Sequence, residues 1–126
     1  MNRNENESLV FVYGTLMQGR RNYSRYLAPL KPVAEGTADG FRMYDVGTYP
    51  AIVRGSGRIK GEVYSITPDL LVRMDHLEEE GSLYIRTPVT VETSAGETLP
   101  AEVYVYNQSV EDLPEIPFDA QPYRGV

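Results

Sequence analysis

The sequence predicts an α+β domain: a small mixed, largely antiparallel β-barrel with one or two helices packed outside. Three observations point there. Segments rich in β-branched and aromatic residues outnumber helical ones. They follow one another as hairpins more often than as strand–helix–strand crossovers. One helix, in the second half, carries a clear start signal. At 126 residues the chain has the size of one domain. The expected division is a flexible leader over residues 1–8, a folded body, and a proline-containing tail over 107–126 with Pro114, Pro117 and Pro122.

Taken in order, Leu9-Val10-Phe11-Val12-Tyr13 is an unbroken apolar run that stops at Gly14, the pattern of a strand buried on both faces. Residues 22–30 read as one short helix closed by Pro29 and Pro32. Residues 41–44 and 51–53 read as short strands around a turn at Gly47-Thr48-Tyr49-Pro50, and Gly55-Ser56-Gly57 as turn chemistry. The next strand covers 58–66, with Gly61 marking a bulge or a close backbone approach. Thr67-Pro68-Asp69 combines an N-cap, a first-turn proline and an acidic group at the positive end of the helix dipole. That helix should run to about Glu80 and stop at Gly81. Residues 84–92 and 98–107 then form a hairpin about the turn 93–97.

Composition narrows the chemistry. There is no cysteine, which removes disulfides, thiolate nucleophiles, zinc fingers and iron–sulfur clusters. A single histidine, His76, suits neither a multi-histidine metal site nor a serine–histidine–aspartate triad, and on a helical wheel it points to solvent. A net charge of −6 argues against nucleic acid as a partner. No run of eighteen apolar residues is present, so no membrane-spanning helix is expected, and the polar start lacks a secretory signal. The expectation is a soluble, cytoplasmic domain working with carboxylates, hydroxyls, arginines or backbone amides.

Two features stand out. At about 100° per residue, with Leu70 at zero, Met74 falls at about 40°, Leu71 at about 100° and Leu77 at about 340°. Glu78, at about 80°, lies inside that apolar stripe, whereas Asp75, Glu79 and Glu80 lie at or beyond its edge. A carboxylate drawn into an apolar setting holds its proton more tightly and can exchange it near neutral pH. The alternative is a border position reaching solvent or pairing with Arg86. The second feature is Tyr13-Gly14-Thr15-Leu16, where a buried strand ends in a polar turn whose amides can face one anion. The alternative is a tight turn and nothing more. Gly55-Ser56-Gly57-Arg58 lacks the lysine and the helix of a phosphate-binding loop. Consecutive helical residues point apart, so Glu78, Glu79 and Glu80 cannot converge on one metal ion. Among ten tyrosines, Tyr104 and Tyr106 share a strand face, lining a cavity or covering a sheet, and Tyr84 projects with Arg86.

In chain order, Val12-Tyr13-Gly14-Thr15-Leu16, Tyr49-Pro50-Ala51, Gly61-Glu62-Val63-Tyr64, Met74-Asp75-His76-Leu77-Glu78 and Tyr84-Ile85-Arg86 resemble the γ-glutamylcyclotransferase-like superfamily. The likeness spans roughly residues 9–106 and leans to its AIG2-like and γ-glutamylamine cyclotransferase branch. The resemblance implies a mixed β-barrel with flanking helices, and release of 5-oxoproline from a small-molecule γ-glutamyl substrate with no metal or cofactor. It also implies substrate binding by Tyr13, Gly14, Thr15, Leu16 and Tyr84, with Glu78 as acid and base. The family's helix usually reads Glu-Gly after the Asp-x-x step, so aligning on Glu80-Gly81 would nominate Glu80 instead. The spacing from Asp75, the distance to Tyr84 and the wheel favour Glu78. Two non-enzymatic readings stand beside this one: a binding domain in which Glu78 holds an amine, and an adaptor acting through the tail.

Overall fold

A computed structural model of the protein describes residues 6–123. Of the expected leader, residues 1–5 lie outside the described residues, as do 124–126 of the tail. The six strands are β1 (Ser8–Val12), β2 (Ala34–Asp45), β3 (Pro50–Ile66), β4 (Tyr84–Thr93), β5 (Thr98–Tyr106) and β6 (Glu115–Ile116). Two helices, α1 (Tyr23–Tyr26) and α2 (Pro68–Glu78), and a short 3-10 turn at Phe118–Ala120 accompany them.

β1 carries the unbroken apolar run because both of its edges are paired. It lies antiparallel to β3 (Val10 opposite Tyr64) and parallel to β5 (Phe11 opposite Val103). Its residues Val10, Phe11 and Val12 are buried. The strand order β3-β1-β5-β4-β2 returns to β3 through the β2–β3 pairing, so the sheet closes on itself, with β6 added beside Met43 and Tyr44. The ring is mixed, since β1–β5 is parallel among otherwise antiparallel pairs. Phe11, Met43, Ile52, Ile59, Val91 and Val103 fill it and are fully buried. Burying each such side chain contributes about 1.5–3 kcal/mol.

Closure depends on two glycines that face each other, Gly36 of β2 and Gly61 of β3. A Cβ on Gly61 would lie 2.3 Å from the Val12 carbonyl oxygen of β1, and one on Gly36 would lie 2.5 Å from the Glu92 carbonyl oxygen of β4. The β2–β3 ribbon can therefore bring β1 and β4 against it where no side chain intervenes. Of the two readings open at Gly61, close backbone approach is the one realised.

The segments expected over 41–44, 51–53 and 58–66 are parts of two long strands, and β3 runs unbroken for 17 residues. Gly55 and Gly57 do not turn the chain: a Cβ on Gly57 would meet the Phe41 carbonyl oxygen at 2.7 Å, so this glycine also permits close approach. The actual turn is the expected one at Gly47, whose φ is +123° and whose amide donates to Asp45 Oδ1. The helix expected over 22–30 shortens to the four residues of α1. Asn22 does not cap it, because its side-chain amide donates to Thr15 Oγ1 instead, and the residues after Leu27 turn towards Pro29 and Pro32.

α2 starts as expected, with Thr67 Oγ1 accepting from the Leu70 amide and Pro68 in the first turn. It ends at Glu78, two residues earlier than its acidic run suggested. Glu79 takes up a left-handed conformation with φ of 50°, and the Glu80 amide closes back on the Asp75 carbonyl. That conformation is costly for a residue with a Cβ. Glu79→Gly is therefore expected to raise stability by about 0.5–1 kcal/mol, read as an upward shift of the thermal unfolding midpoint.

The tail is more built than a loop. Gln121 is buried, its Oε1 accepts the Lys60 amide, and its Nε2 donates to the Ile116 carbonyl. Lys60 and Arg58 both stand over the Phe118 ring, and Tyr123 is buried.

Candidate functional site

The end of β1, the β2–β3 turn, the last turn of α2, and the starts of β4 and ends of β5 meet around a cavity of about 330 Å³. Its lining includes Tyr13, Gly14, Thr15, Leu16, Tyr49, Pro50, Leu77, Glu78, Glu79, Tyr84 and Tyr104, with Arg21 and Asn22 beside the loop.

The loop after β1 is held in shape by its neighbours. The Met17 amide donates to the Gly14 carbonyl, and Asn22 binds Thr15 twice, amide to carbonyl and side chain to hydroxyl, each at 2.9 Å. Glu62 Oε1 accepts both the Gln18 amide and the Tyr64 hydroxyl at 2.9 Å, so the Gly61-Glu62-Val63-Tyr64 segment anchors the far end of the loop. A Cβ on Gly14 would lie 2.9 Å from two ring carbons of Pro50, which locks the loop against the β2–β3 turn. Among the described residues, the amides of Gly14, Thr15 and Leu16 have no protein acceptor. A row of unpaired donors in such a concavity suits an anion.

Glu78 stands in the same cavity, half-buried. Burial raises its pKa from the ordinary 4.5 to about 7, and the nearby Asp75 carboxylate adds to the effect. The Tyr13 hydroxyl donates to the Tyr104 carbonyl at 2.6 Å and the Tyr84 hydroxyl to the Pro50 carbonyl at 2.9 Å. These two rings are thus tied to the backbone as walls. Burial pushes the pKa values of Tyr13, Tyr84 and Tyr104 well up, so all three keep their protons at neutral pH. The Tyr84 ring packs against Tyr106 at 5.3 Å and Tyr49 at 6.4 Å between centroids.

The structure thus brings Tyr13, Gly14, Thr15, Leu16, Glu78 and Tyr84 to one cavity. It sends Glu80 elsewhere: after the left-handed Glu79, Glu80 is off the cavity lining and exposed, and accepts the Arg86 amide of β4 at 3.2 Å. His76 is exposed. Arg86 pairs with Asp75 and Glu102, not with Glu78. Of the two tyrosines on the β5 face, Tyr104 lines the cavity and Tyr106 backs Tyr84. Sequence reasoning did not single out Arg21, just before the segment read as a short helix, or Asn22, the first residue of that segment. Nor did it single out Asp75, which the wheel put at the stripe's edge. Its partners lie 11 and 29 residues away and carry no local signal.

A family model described as gamma-glutamyl cyclotransferase, AIG2-like, matches residues 10–124. The chain belongs to that family. The gamma-glutamylcyclotransferase family protein YtfP of Escherichia coli K12 is 33% identical over 104 residues, covering 82% of this chain and 87% of its own. Gamma-glutamylaminecyclotransferase B of Danio rerio is 35% identical over 113 residues, covering 80% of this chain and 59% of its own. Among solved structures, an AIG2-like protein of Mus musculus aligns with a TM-score of 0.73 at 24% identity, covering 88% of this chain and 86% of its own. The cyclotransferase fold is therefore shared: a ring-like sheet, mostly strands, with two helices. Among the described residues, no helix is long and apolar enough to cross a membrane.

Proposed function

We propose that the protein releases 5-oxoproline from a γ-glutamyl amine or γ-glutamyl amino acid, with Glu78 as general acid and base. The observation that carries this reading is a carboxyl group raised by burial to a pKa of about 7 in the same cavity as three amides that, among the described residues, lack protein acceptors. The amides of Gly14, Thr15 and Leu16 hold the α-carboxylate of the γ-glutamyl group. Glu78 takes a proton from the α-amino group, whose nitrogen attacks the substrate's own γ-carbonyl carbon. A C–N bond closes the five-membered ring, the γ-amide C–N bond breaks, and Glu78 returns the proton to the departing amine. Nucleophile and electrophile belong to one molecule, so the protein's task is to fold the substrate and move one proton. Tyr84 and Tyr13, with their hydroxyls tied to the backbone, keep the walls fixed while this happens.

The Danio rerio relative's name supports an amine rather than an amino acid as the leaving group. Mass-spectrometric measurement of 5-oxoproline over a panel of γ-glutamyl amines, γ-glutamyl dipeptides and glutathione tests both points. Release from the γ-glutamyl amines ahead of the other members is expected. Silence across the panel, with thermal stabilisation by one of its members, would replace catalysis with binding.

A further inference from the structure

Glu78 has a second carboxylate behind it. Asp75 lies three residues earlier on α2, hence on a neighbouring part of the helix surface. Arg86 of β4 forks across it, Nε donating to Oδ1 at 3.0 Å and Nη2 to Oδ2 at 3.1 Å, while Nη1 donates to Glu102 Oε1 at 2.6 Å. The Tyr104 hydroxyl of β5 donates to Asp75 Oδ1 at 2.7 Å. The side chains of Arg86 and Asp75 are only 25% and 24% exposed, and the bidentate geometry makes this a directional contact rather than a surface ion pair. Asp75 does not line the cavity, so whatever it does there passes through other groups.

We infer that Asp75 is a positioning residue that, balanced by Arg86, sets how tightly Glu78 holds its proton, and that links α2 through Tyr104 to the loop beginning at Tyr13. The link is continuous, because the Tyr104 whose hydroxyl reaches Asp75 also accepts the Tyr13 hydroxyl on its carbonyl. The functional part of the inference rests on the reading of Glu78 as acid and base.

The electrostatics give a sign to each change. The ionisable groups around Glu78 are Asp75 on its own helix, Tyr13, Tyr49, Tyr84 and Tyr104 from the surrounding elements, and Glu79 and Arg21 on the cavity lining. Burial raises the pKa of each of the four tyrosines, so they do not change charge near neutrality. Removing the Asp75 charge lowers the proton affinity of Glu78, and removing the Arg86 charge raises it.

Carbon-detected NMR titration of the Glu78 carboxyl in the full chain reads this without any turnover. A wild-type midpoint of about 7 is expected. Asp75→Asn, which keeps the shape and an acceptor, should lower the midpoint by about one pH unit, Arg86→Gln should raise it by a smaller amount, and Arg86→Lys should restore it. Midpoints that stay put, or that move together, overturn the inference. Should Arg86→Gln not fold, Asp75→Asn against wild type decides alone. The acid limb of kcat/KM for 5-oxoproline release should follow the NMR midpoints. Absence of release in the wild type would sink the cyclotransferase reading while leaving the NMR test standing.

Discussion

Glu78→Gln is expected to lower 5-oxoproline release by about 10²–10⁴-fold, the range a positioned general acid–base group supplies. Glutamine keeps the shape of the side chain and its ability to hydrogen bond, so it removes proton exchange and little else. On the proposed reading substrate affinity should survive, because the loop amides of residues 14–16 and not the carboxylate would hold the γ-glutamyl end. Calorimetric titration of the variant with a substrate that the wild type turns over checks this. A variant that loses affinity along with turnover would show Glu78 to be a clamp for the amine. The pH dependence has a definite direction. With a pKa of about 7, wild-type release should rise as pH climbs through neutrality and Glu78 loses its proton. Stability should run the other way. A carboxyl whose pKa is raised by folding stabilises the native state fully below 4.5, and that contribution is lost as pH rises to about 7. Above neutrality Glu78→Gln should therefore be more stable than the wild type, by on the order of 2–3 kcal/mol. Chemical denaturation at pH 5 and pH 8 measures both ends of the window.

Gly61→Ala is expected to be the most damaging small substitution outside the cavity, costing about 3 kcal/mol or more by equilibrium denaturation. The added methyl would lie 2.3 Å from the Val12 carbonyl oxygen and 2.9 Å from the Phe11 ring, and a backbone carbonyl cannot swing aside as a side chain can. Relief requires β1 to move from β3. The residue after Val12 is Tyr13, so such a shift would also displace the loop amides, and release should fall further than the stability loss explains. A glycine at a φ above zero with open space around it, such as Gly96 in the β4–β5 turn, should be strained by alanine for a different reason. There the loss should be about 1 kcal/mol, without effect on release.

How far the sequence could be read depended on the range of the interactions involved. The cap at Thr67, the apolar run of β1 and the β4–β5 hairpin are local patterns, and all three appear where the residues put them. The boundary between β2 and β3 was legible at Gly47 but not at Gly55 and Gly57, because a glycine that turns the chain and one that lets another strand approach look identical in one dimension. α1 shortened because Asn22 spends its side chain on Thr15 rather than on its own helix. β6 and the buried Gln121 lay hidden in a segment whose prolines suggested only loop.

The same division holds for the site. By itself, the sequence determined the places of β1, β4 and β5, the start of α2, the inward aim of Glu78 and the family motifs from Tyr13 to Tyr84, because periodicity and capping act over a few residues. Tertiary structure alone decided that the sheet closes through Gly36 and Gly61, and that Glu80 leaves the cavity over a left-handed Glu79. It alone brought Asp75 between Arg86 and Tyr104. The reason is physical: pKa values, clefts and hydrogen-bonded clusters arise from groups that meet across the ring, and their proximity is a property of closure rather than of any local stretch of chain.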